Sequence, residues 1–369
     1  AKFAMNGAVF NGFKPVHWCT SCRTALAEAE VEYADHQSPT VYVKFPVKSG
    51  LNGQLGDINP AKVSFVIWTT TPWTLPANLA ICLHPNFHYS AVEIEGEVYV
   101  VAEELLSKLI LEWDIKKHKV LGSCLGKKLE EVICRHPFID RDSRVVLGEH
   151  VTLEQGTGCV HTAPGHGQED YIVGQKYNLE TYNPVDDGGV FKPEVSDFGG
   201  LFVRKANPLI VEKLRDSGYL VHDNKVNHSY PHCWRCHQPI IFRATSQWFI
   251  SMDTNGLRDK ALKAIREIEW IPRWGEDRIF NMVENRPDWC ISRQRAWGVP
   301  ITLFNCVSCN EMLRSPKVFS HIVDLVKKNG ADFWFEKDSI ELLPEGTICP
   351  CGGKEFFKTN DILDVWFDS

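Results

Sequence analysis

Residues 156–170 read GTGCVHTAPGHGQED, and the interpretation of the whole chain turns on this stretch. Glycines and Pro164 punctuate it, so the backbone can turn sharply or approach a ligand where side chains would obstruct. Residues 160–163 have the apolar character of a short buried strand. Beyond them, 168–177 place Tyr171, Ile172 and Val173 where they can share one helical face. Glu169 and Asp170 fall in the first turn, where the helix dipole favours negative charge. A strand, a glycine-rich loop and an acidic helix start together build a pocket, although a plain turn with a capping acid would use the same residues. A second stretch, 68–78, reads WTTTPWTLPAN and weighs toward the pocket. Thr69, Thr70 and Thr71 stand at a strand end, and the prolines behind them block helix or ladder continuation, which sets the hydroxyls on irregular backbone.

Together the two stretches resemble the editing domain inserted in the class I aminoacyl-tRNA synthetases for isoleucine, valine and leucine. Within that trio, WTTTPWTLPAN and HTAPGHG are similar to the isoleucyl pattern. The leucyl and valyl patterns usually have an arginine and an acid after the threonines, and Ala-His-Asp where this chain has Gly165, His166 and Gly167. The segments GFKPVHWC, SYPHCWRCHQPIIFRAT, NRPDWCISRQRAWGVPI and DILDVWFDS extend the resemblance over nearly the whole chain. A start at Ala1 without Met fits a fragment of a longer isoleucine-specific synthetase.

The resemblance implies a site that hydrolyses the ester joining a wrong amino acid, valine, to the 3′ end of tRNA(Ile). Asp170 matches the binder of the α-ammonium, with which it can form a charge-assisted pair. Thr69, Thr70 and Thr71 would place stiff β-branched hydroxyls around the ester and a water. Asn78 matches a position near the terminal adenosine. His166 could act as a base or contact the tRNA end, with a structural loop histidine as the equal alternative. His161 aligns with the position that excludes the cognate isoleucine side chain. On an extended segment its side chain points opposite to those of its neighbours, so it can face the pocket if Val160 faces the core. A hydrogen-bonded core histidine is the competing expectation. No Ser-His-Asp or Cys-His arrangement is evident, so a positioned water rather than a covalent intermediate is expected. Trp297 and Trp366 match positions facing the amino acid and adenylate in the aminoacylation domain, a Rossmann-type fold, with ordinary aromatic packing as the alternative for either. Neither a HIGH-type nor a KMSKS-type ATP signature occurs, so ATP and Mg2+ are expected to serve only the full-length parent.

Hydrophobic residues at 44% and charged residues at 24% describe an ordinary globular composition. No apolar run of about 18 residues and no leader pattern appears, so a membrane span or secretion is not expected. A cytoplasmic monomer is the expectation, with an organellar parent left open. The formal net charge of −7 argues against coating nucleic acid by general electrostatics, so any RNA contact must be local.

Of thirteen cysteines, eight fall in four tight pairs, which in a chain this large points to metal rather than disulfides. Cys19 and Cys22 are separated by 210 residues from Cys233 and Cys236. A four-thiolate zinc site needs two such knuckles side by side, which would make both ends of the intervening domain meet. Independent two-cysteine sites or unmetallated thiols are the alternatives. Cys306 and Cys309 are followed by Cys349 and Cys351, a pair with only one residue between its sulfurs, as a second zinc ribbon.

The expected architecture is α/β: a β-barrel-like mixed editing domain inserted through zinc-ribbon stems into a partial Rossmann-type domain. The expected bounds are 1–40 for the first stem, 41–222 for the editing domain, 223–250 for the return stem and 251–369 for the partial catalytic domain. Strands are expected at 41–47, 63–69, 89–102 with a turn at 95–97, 118–121, 132–136 and 144–147. Helices are expected at 23–32, 103–113, 168–177, 208–216, 257–268 and 276–284. Two competing functions are a non-catalytic, zinc-stabilised tRNA-binding module, and a valyl- or leucyl-type editing domain acting on threonyl or methionyl esters.

Overall fold

Strand-forming sequence dominates the middle of the chain, and the computed structural model, which describes residues 1–369, shows how those strands close on one another. In chain order they are β1 (Val31–Ser49), β2 (Val63–Thr69), β3 (Ala80–Leu83), β4 (His88–Ile94), β5 (Glu97–Ala102), β6 (Lys119–Leu125), β7 (Ile133–Arg135), β8 (Asp142–Leu147), β9 (Cys159–Thr162) and β10 (Leu220–Cys233). Six of them form a ring: β1 pairs with β7, β7 with β8, β8 with β3, β3 with β9, β9 with β2, and β2 back with β1. Closure removes the edges that an open sheet would expose.

The register shows which face is inside. Val43 opposes Ile67, Phe45 opposes Phe65, Val47 opposes Cys134, Cys134 opposes Ser143, and Ile81 opposes His161. Alternation along each strand therefore carries Val43, Phe45, Phe65, Ile67, Ile81, Cys134, Val145 and His161 into the barrel. The apolar members of this set are fully buried. Each contributes about 1.5 to 3 kcal/mol by leaving water. The outer face of β3, β8 and β9 is covered by α2 (Gln168–Lys176), which follows α1 (Leu106–Glu112); Ala80, Cys82, Val146 and Val173 cluster there with Val160 and Tyr177. On α2 successive residues diverge by a third of a turn, so Val173 is buried while Ile172 is 67% exposed, and the expected shared face is corrected.

The hairpin of β4 and β5 turns at Glu95 and Gly96, both at positive φ (51° and 87°), and extends the sheet from β2. α3 spans Val203–Asp216, five residues longer at its start than expected, because Val203, Ala206, Ile210 and Leu214 bury one continuous stripe across Pro208. The expected helix at 23–32 is absent. Thr24–Leu26 is a strand and Glu28–Glu30 a single 3-10 turn. Gln294 takes the Ala25 N–H on its Oε1 at 3.0 Å, and Glu30 pairs with Arg293 at 2.8 Å, so tertiary partners override local helix propensity.

The chain divides into two compact units, one of Lys14–Cys22 with Val31–Ala244, the other of Ala1–Phe13, Arg23–Glu30 and Thr245–Ser369. The first holds the barrel together with the β1–β10 ribbon. In the second, helices Leu257–Glu267, Gly275–Glu284 and Pro316–Asn329 accompany short antiparallel pairs, Ser292–Arg293 with Ile362–Leu363 and Phe304–Cys306 with Phe356–Lys358. No long parallel sheet forms in this stretch. Its centre is a buried ionic cluster in which Arg293 pairs with Glu30 and, at 3.1 Å, with Asp364, while Trp289 Nε1 donates to Asp364 at 2.7 Å.

Candidate functional site

Irregular backbone at the end of β2, before β9 and at the start of α2 surrounds a cleft of about 320 Å³. It brings together Thr69, Thr70, Thr71, His161, His166 and Asp170. The turn beyond β2 is locked by its own hydroxyls. Thr71 N donates to Thr69 Oγ1 at 3.1 Å, and Thr74 donates both its N–H and its hydroxyl to Thr71 O.

His161 lies on the interior face, 7% exposed, with an edge on the cleft. Asn78 Nδ2 stands 2.8 Å from its Nδ1 and 2.9 Å from the Ala80 carbonyl. The carbonyl can only accept, so the amide NH2 must lie on that side, and Asn78 Oδ1 takes the Ser143 hydroxyl at 2.7 Å. His161 Nδ1 is then an acceptor, and Nε2–H donates to Thr74 Oγ1 at 2.9 Å. A second ring proton would face a donor, and burial, followed by repulsion from His136 and His166, lowers the pKa to about 3. The ring is a neutral, fixed wall. It is a hydrogen-bonded interior histidine that also borders the cleft, so the two positions expected for it are not exclusive. Asn78 corrects its own assignment: it is 0% exposed with its amide engaged, so it acts by holding His161 and does not line the cleft.

Asp170, the third residue of α2, is half-buried at the cleft wall, and its Oδ2 accepts the Ala163 N–H at 2.9 Å. No cation pairs with it. Burial, outweighing that hydrogen bond and reinforced by Glu169, raises its pKa to about 7. Gly167 makes the approach possible, since a Cβ there would sit 2.9 Å from the Asp170 carboxyl carbon.

His166 donates Nδ1–H to Phe242 O at 3.0 Å, which leaves Nε2 as a buried acceptor without a partner. Burial, partly offset by that bond, lowers its pKa to about 4. His150 and Gln155 also line the cleft, and His150 Nε2 is likewise buried and unpartnered. Neither was found from the sequence; a lone histidine in a polar loop carries no local signal. Trp297 and Trp366 lie elsewhere, in the second unit, the former 90% exposed and the latter on the short helix Val365–Asp368.

The cysteine knuckles converge. The four sulfurs of Cys19, Cys22, Cys233 and Cys236 lie within 4.8 Å of one another, and so do those of Cys306, Cys309, Cys349 and Cys351. Close pairs are 3.4 Å (Cys19 to Cys236), 3.6 Å (Cys306 to Cys351) and 3.7 Å (Cys309 to Cys349), near the roughly 3.8 Å edge of a tetrahedron with 2.3 Å metal–sulfur bonds. The residue after each second cysteine, Arg23, His237, Asn310 and Gly352, has positive φ, so all four turns curl the same way. The one-residue spacing of Cys349 and Cys351 is accommodated by Gly352, whose N–H reaches Cys349 O at 2.8 Å. Both tetrads could hold a metal ion, and thiolate-only donors fit zinc.

The profile of the family "tRNA synthetases class I (I, L, M and V)" matches residues 1–369. The chain is 58% identical over 370 residues to an isoleucine–tRNA ligase of Syntrophotalea carbinolica and 56% identical over 370 residues to one of Geobacter sulfurreducens. Each match covers 100% of this chain and 40% of the relative, so the chain spans about two fifths of the length of the curated relatives it matches. Among solved structures, GlLeuRS-CP1 is similar at TM-score 0.42 and 16% identity, covering 50% of this chain and 98% of that one. The Plasmodium knowlesi cytosolic leucyl-tRNA synthetase editing domain gives 0.39 and 11%, covering 50% and 95%. No helix is long and apolar enough to cross a membrane.

Proposed function

Since the chain belongs to the class I tRNA synthetases for isoleucine, leucine, methionine and valine, we propose that its cleft is the proofreading site of an isoleucine–tRNA ligase, where valine esterified to the 3′ end of tRNA(Ile) is hydrolysed. The observation that carries this reading is Asp170, a half-buried carboxylate without a cation partner in a cleft walled by a neutral histidine.

In this reading the α-ammonium of the aminoacyl ester supplies the missing cation and pairs with Asp170. The hydroxyls of Thr69, Thr70 and Thr71 flank the ester. His166 Nε2 accepts a hydrogen bond from the attacking water; with a pKa of about 4 it orients that water rather than storing its proton. The water oxygen bonds to the ester carbonyl carbon, the ribose oxygen departs with a proton, and valine and uncharged tRNA result. His161 limits the space for the side chain. A pocket that admits valine but not one more methylene supplies the second sieve that the isoleucyl system, the standard example of double-sieve editing, requires. The cysteine tetrads would hold zinc as structural clamps, Cys19, Cys22, Cys233 and Cys236 joining the two strands at one end of the β1–β10 ribbon. Zinc there supplies rigidity and no chemistry at the cleft. Attachment of isoleucine with ATP and Mg2+ calls in this reading on segments beyond these 369 residues. Trp297 and Trp366 would serve that reaction.

The test is deacylation of valyl-tRNA(Ile) by the purified chain and by Asp170→Asn. Hydrolysis that the substitution abolishes, with the melting temperature retained, supports the reading; a chain that binds the tRNA without hydrolysing the ester contradicts it.

A further inference from the structure

The 3-10 turn Pro72–Ala77 carries Thr74 and leads into Asn78, the two residues that hold the ring of His161. The last carbonyls of such a turn have no partner within it. Three carbonyls here are taken by side chains from one remote loop, residues 136–141, which joins β7 to β8. His136 Nδ1 accepts the N–H groups of Phe138 and Ile139 at 3.3 and 3.1 Å, so its Nε2–H donates to the Leu75 carbonyl at 2.8 Å. Arg141 Nη1 donates to the Pro76 and Asn78 carbonyls, both at 3.0 Å. The guanidinium also lies over the ring of Tyr182, with Cζ 4.9 Å from its centre. Tyr182 in turn abuts the loop of His166, since a Cβ on Gly165 would stand 2.1 Å from the Tyr182 carbonyl oxygen. Arg141 therefore ties the support of the His161 wall to the segment packed against the His166 loop. It does so without lining the cleft itself.

We infer that Arg141 is a positioning residue for substrate selection: by clamping the turn of Thr74 and Asn78, it holds His161 at the depth that separates valine from isoleucine. The inference rests on the reading that the cleft receives an aminoacyl ester. A wall that tells one methylene from none must be held within about 0.5 Å by the groups behind it. Thr74 and Asn78 fix the ring only as well as their own backbone is fixed. Charge-assisted bonds to two carbonyls are stronger than neutral ones, and the Tyr182 ring sets the plane of the guanidinium that makes them. An apolar side chain in its place would fill space but leave the Pro76 and Asn78 carbonyls, on buried residues, short of a donor.

The probes are 3′-valylamino-3′-deoxyadenosine and its isoleucyl counterpart, amides that carry the side chain but resist hydrolysis, titrated with the native chain, Arg141→Ala and Arg141→Lys. The native chain should bind the valyl amide at least about tenfold more tightly. Arg141→Ala should lose most of that preference by binding the isoleucyl amide better, and Arg141→Lys, which keeps the charge without the planar fork, should lose less of it. Guanidinium ion, added far below denaturing concentrations, should take the place of the missing side chain and restore the preference of Arg141→Ala; lost stability alone is not repaired that way. In nitrogen NMR the His161 Nε2–H signal should broaden in Arg141→Ala and sharpen again with guanidinium. An unchanged preference in Arg141→Ala, or in Arg141→Lys if the alanine variant does not fold, overturns the inference even if valyl-tRNA(Ile) is hydrolysed. So does a parallel weakening of both amides that guanidinium leaves in place, or a native chain that binds neither. A native preference that Arg141→Ala loses and guanidinium restores, in a chain that never hydrolyses the ester, upholds it while refuting the hydrolytic reading.

Discussion

Asn78 donates its side-chain amide to Nδ1 of His161 at 2.8 Å, and with that one contact the chain fixes both the tautomer and the plane of the ring that walls the cleft. Asn78→Ala should leave His161 Nδ1, Ser143 and the Ala80 carbonyl short of partners. A loss of about 3 kcal/mol is expected from denaturant unfolding. The freed ring should also relax selectivity, which a rise in isoleucyl-ester hydrolysis would register. Nitrogen NMR of the native chain should report the Nε2–H tautomer of His161; the opposite tautomer would refute the network.

Asp170 should set the pH dependence of the proposed hydrolysis. Its pKa of about 7 in the free chain means that the carboxylate proposed to bind the ammonium is mostly protonated at pH 6. The kcat/KM for valyl-tRNA, corrected for spontaneous hydrolysis, should therefore rise nearly tenfold per pH unit below about 7 and level above it. A flat profile from pH 5.5 to 7.5 would show that Asp170 is not the group that must ionise.

Stability should also fall on acidification, but through buried histidines rather than through that carboxylate. His136, His161 and His166 are buried and neutral, with pKa lowered to about 4, 3 and 4, chiefly by desolvation. Depressed folded values mean that only the unfolded chain takes up protons as pH falls below about 6.5. Each such histidine then costs about 1.4 kcal/mol per pH unit until its folded pKa is reached. Asp170, raised in the folded state, works the other way, adding stability as pH falls from about 7 toward 4. Urea midpoints measured from pH 7 to 5 should fall, and less steeply in His136→Gln; a midpoint that rises on acidification would contradict the sign.

The barrel hairpins could be read directly from the sequence because their signals are local. The turn at Glu95 and Gly96 and the strand at Val63–Thr69 need only their own residues. The thiolate pairs were legible for the same reason, since each knuckle carries its own spacing, and convergence across 210 residues follows once four ligands are required. What stayed hidden depends on distant partners. Residues 24–30 lose their helix to Gln294 and Arg293, and Asn78 is turned inward by Ser143 and His161. His150 enters the cleft from a loop that has no pattern at all.

Metal analysis of chain purified without added zinc should give two equivalents, and Cys22→Ser should remove one while leaving the other. Because Cys19 and Cys22 tether the start of the ribbon to Cys233 and Cys236, chelation should also lower the melting temperature. Less than one equivalent in well-folded protein would count against both sites.

The most direct measurement compares deacylation of valyl-tRNA(Ile) and isoleucyl-tRNA(Ile) by the native chain and by His161→Ala, beside a melting curve. The native chain should prefer the valyl ester by about 10- to 200-fold, the general range for one methylene in an apolar pocket, for which isoleucine against valine is the standard example rather than a value obtained from this structure. His161→Ala should melt somewhat lower, since Asn78 and Thr74 lose a partner, yet keep valyl hydrolysis and gain isoleucyl hydrolysis. Equal loss of both activities, or unchanged rejection of the isoleucyl ester, would contradict the account.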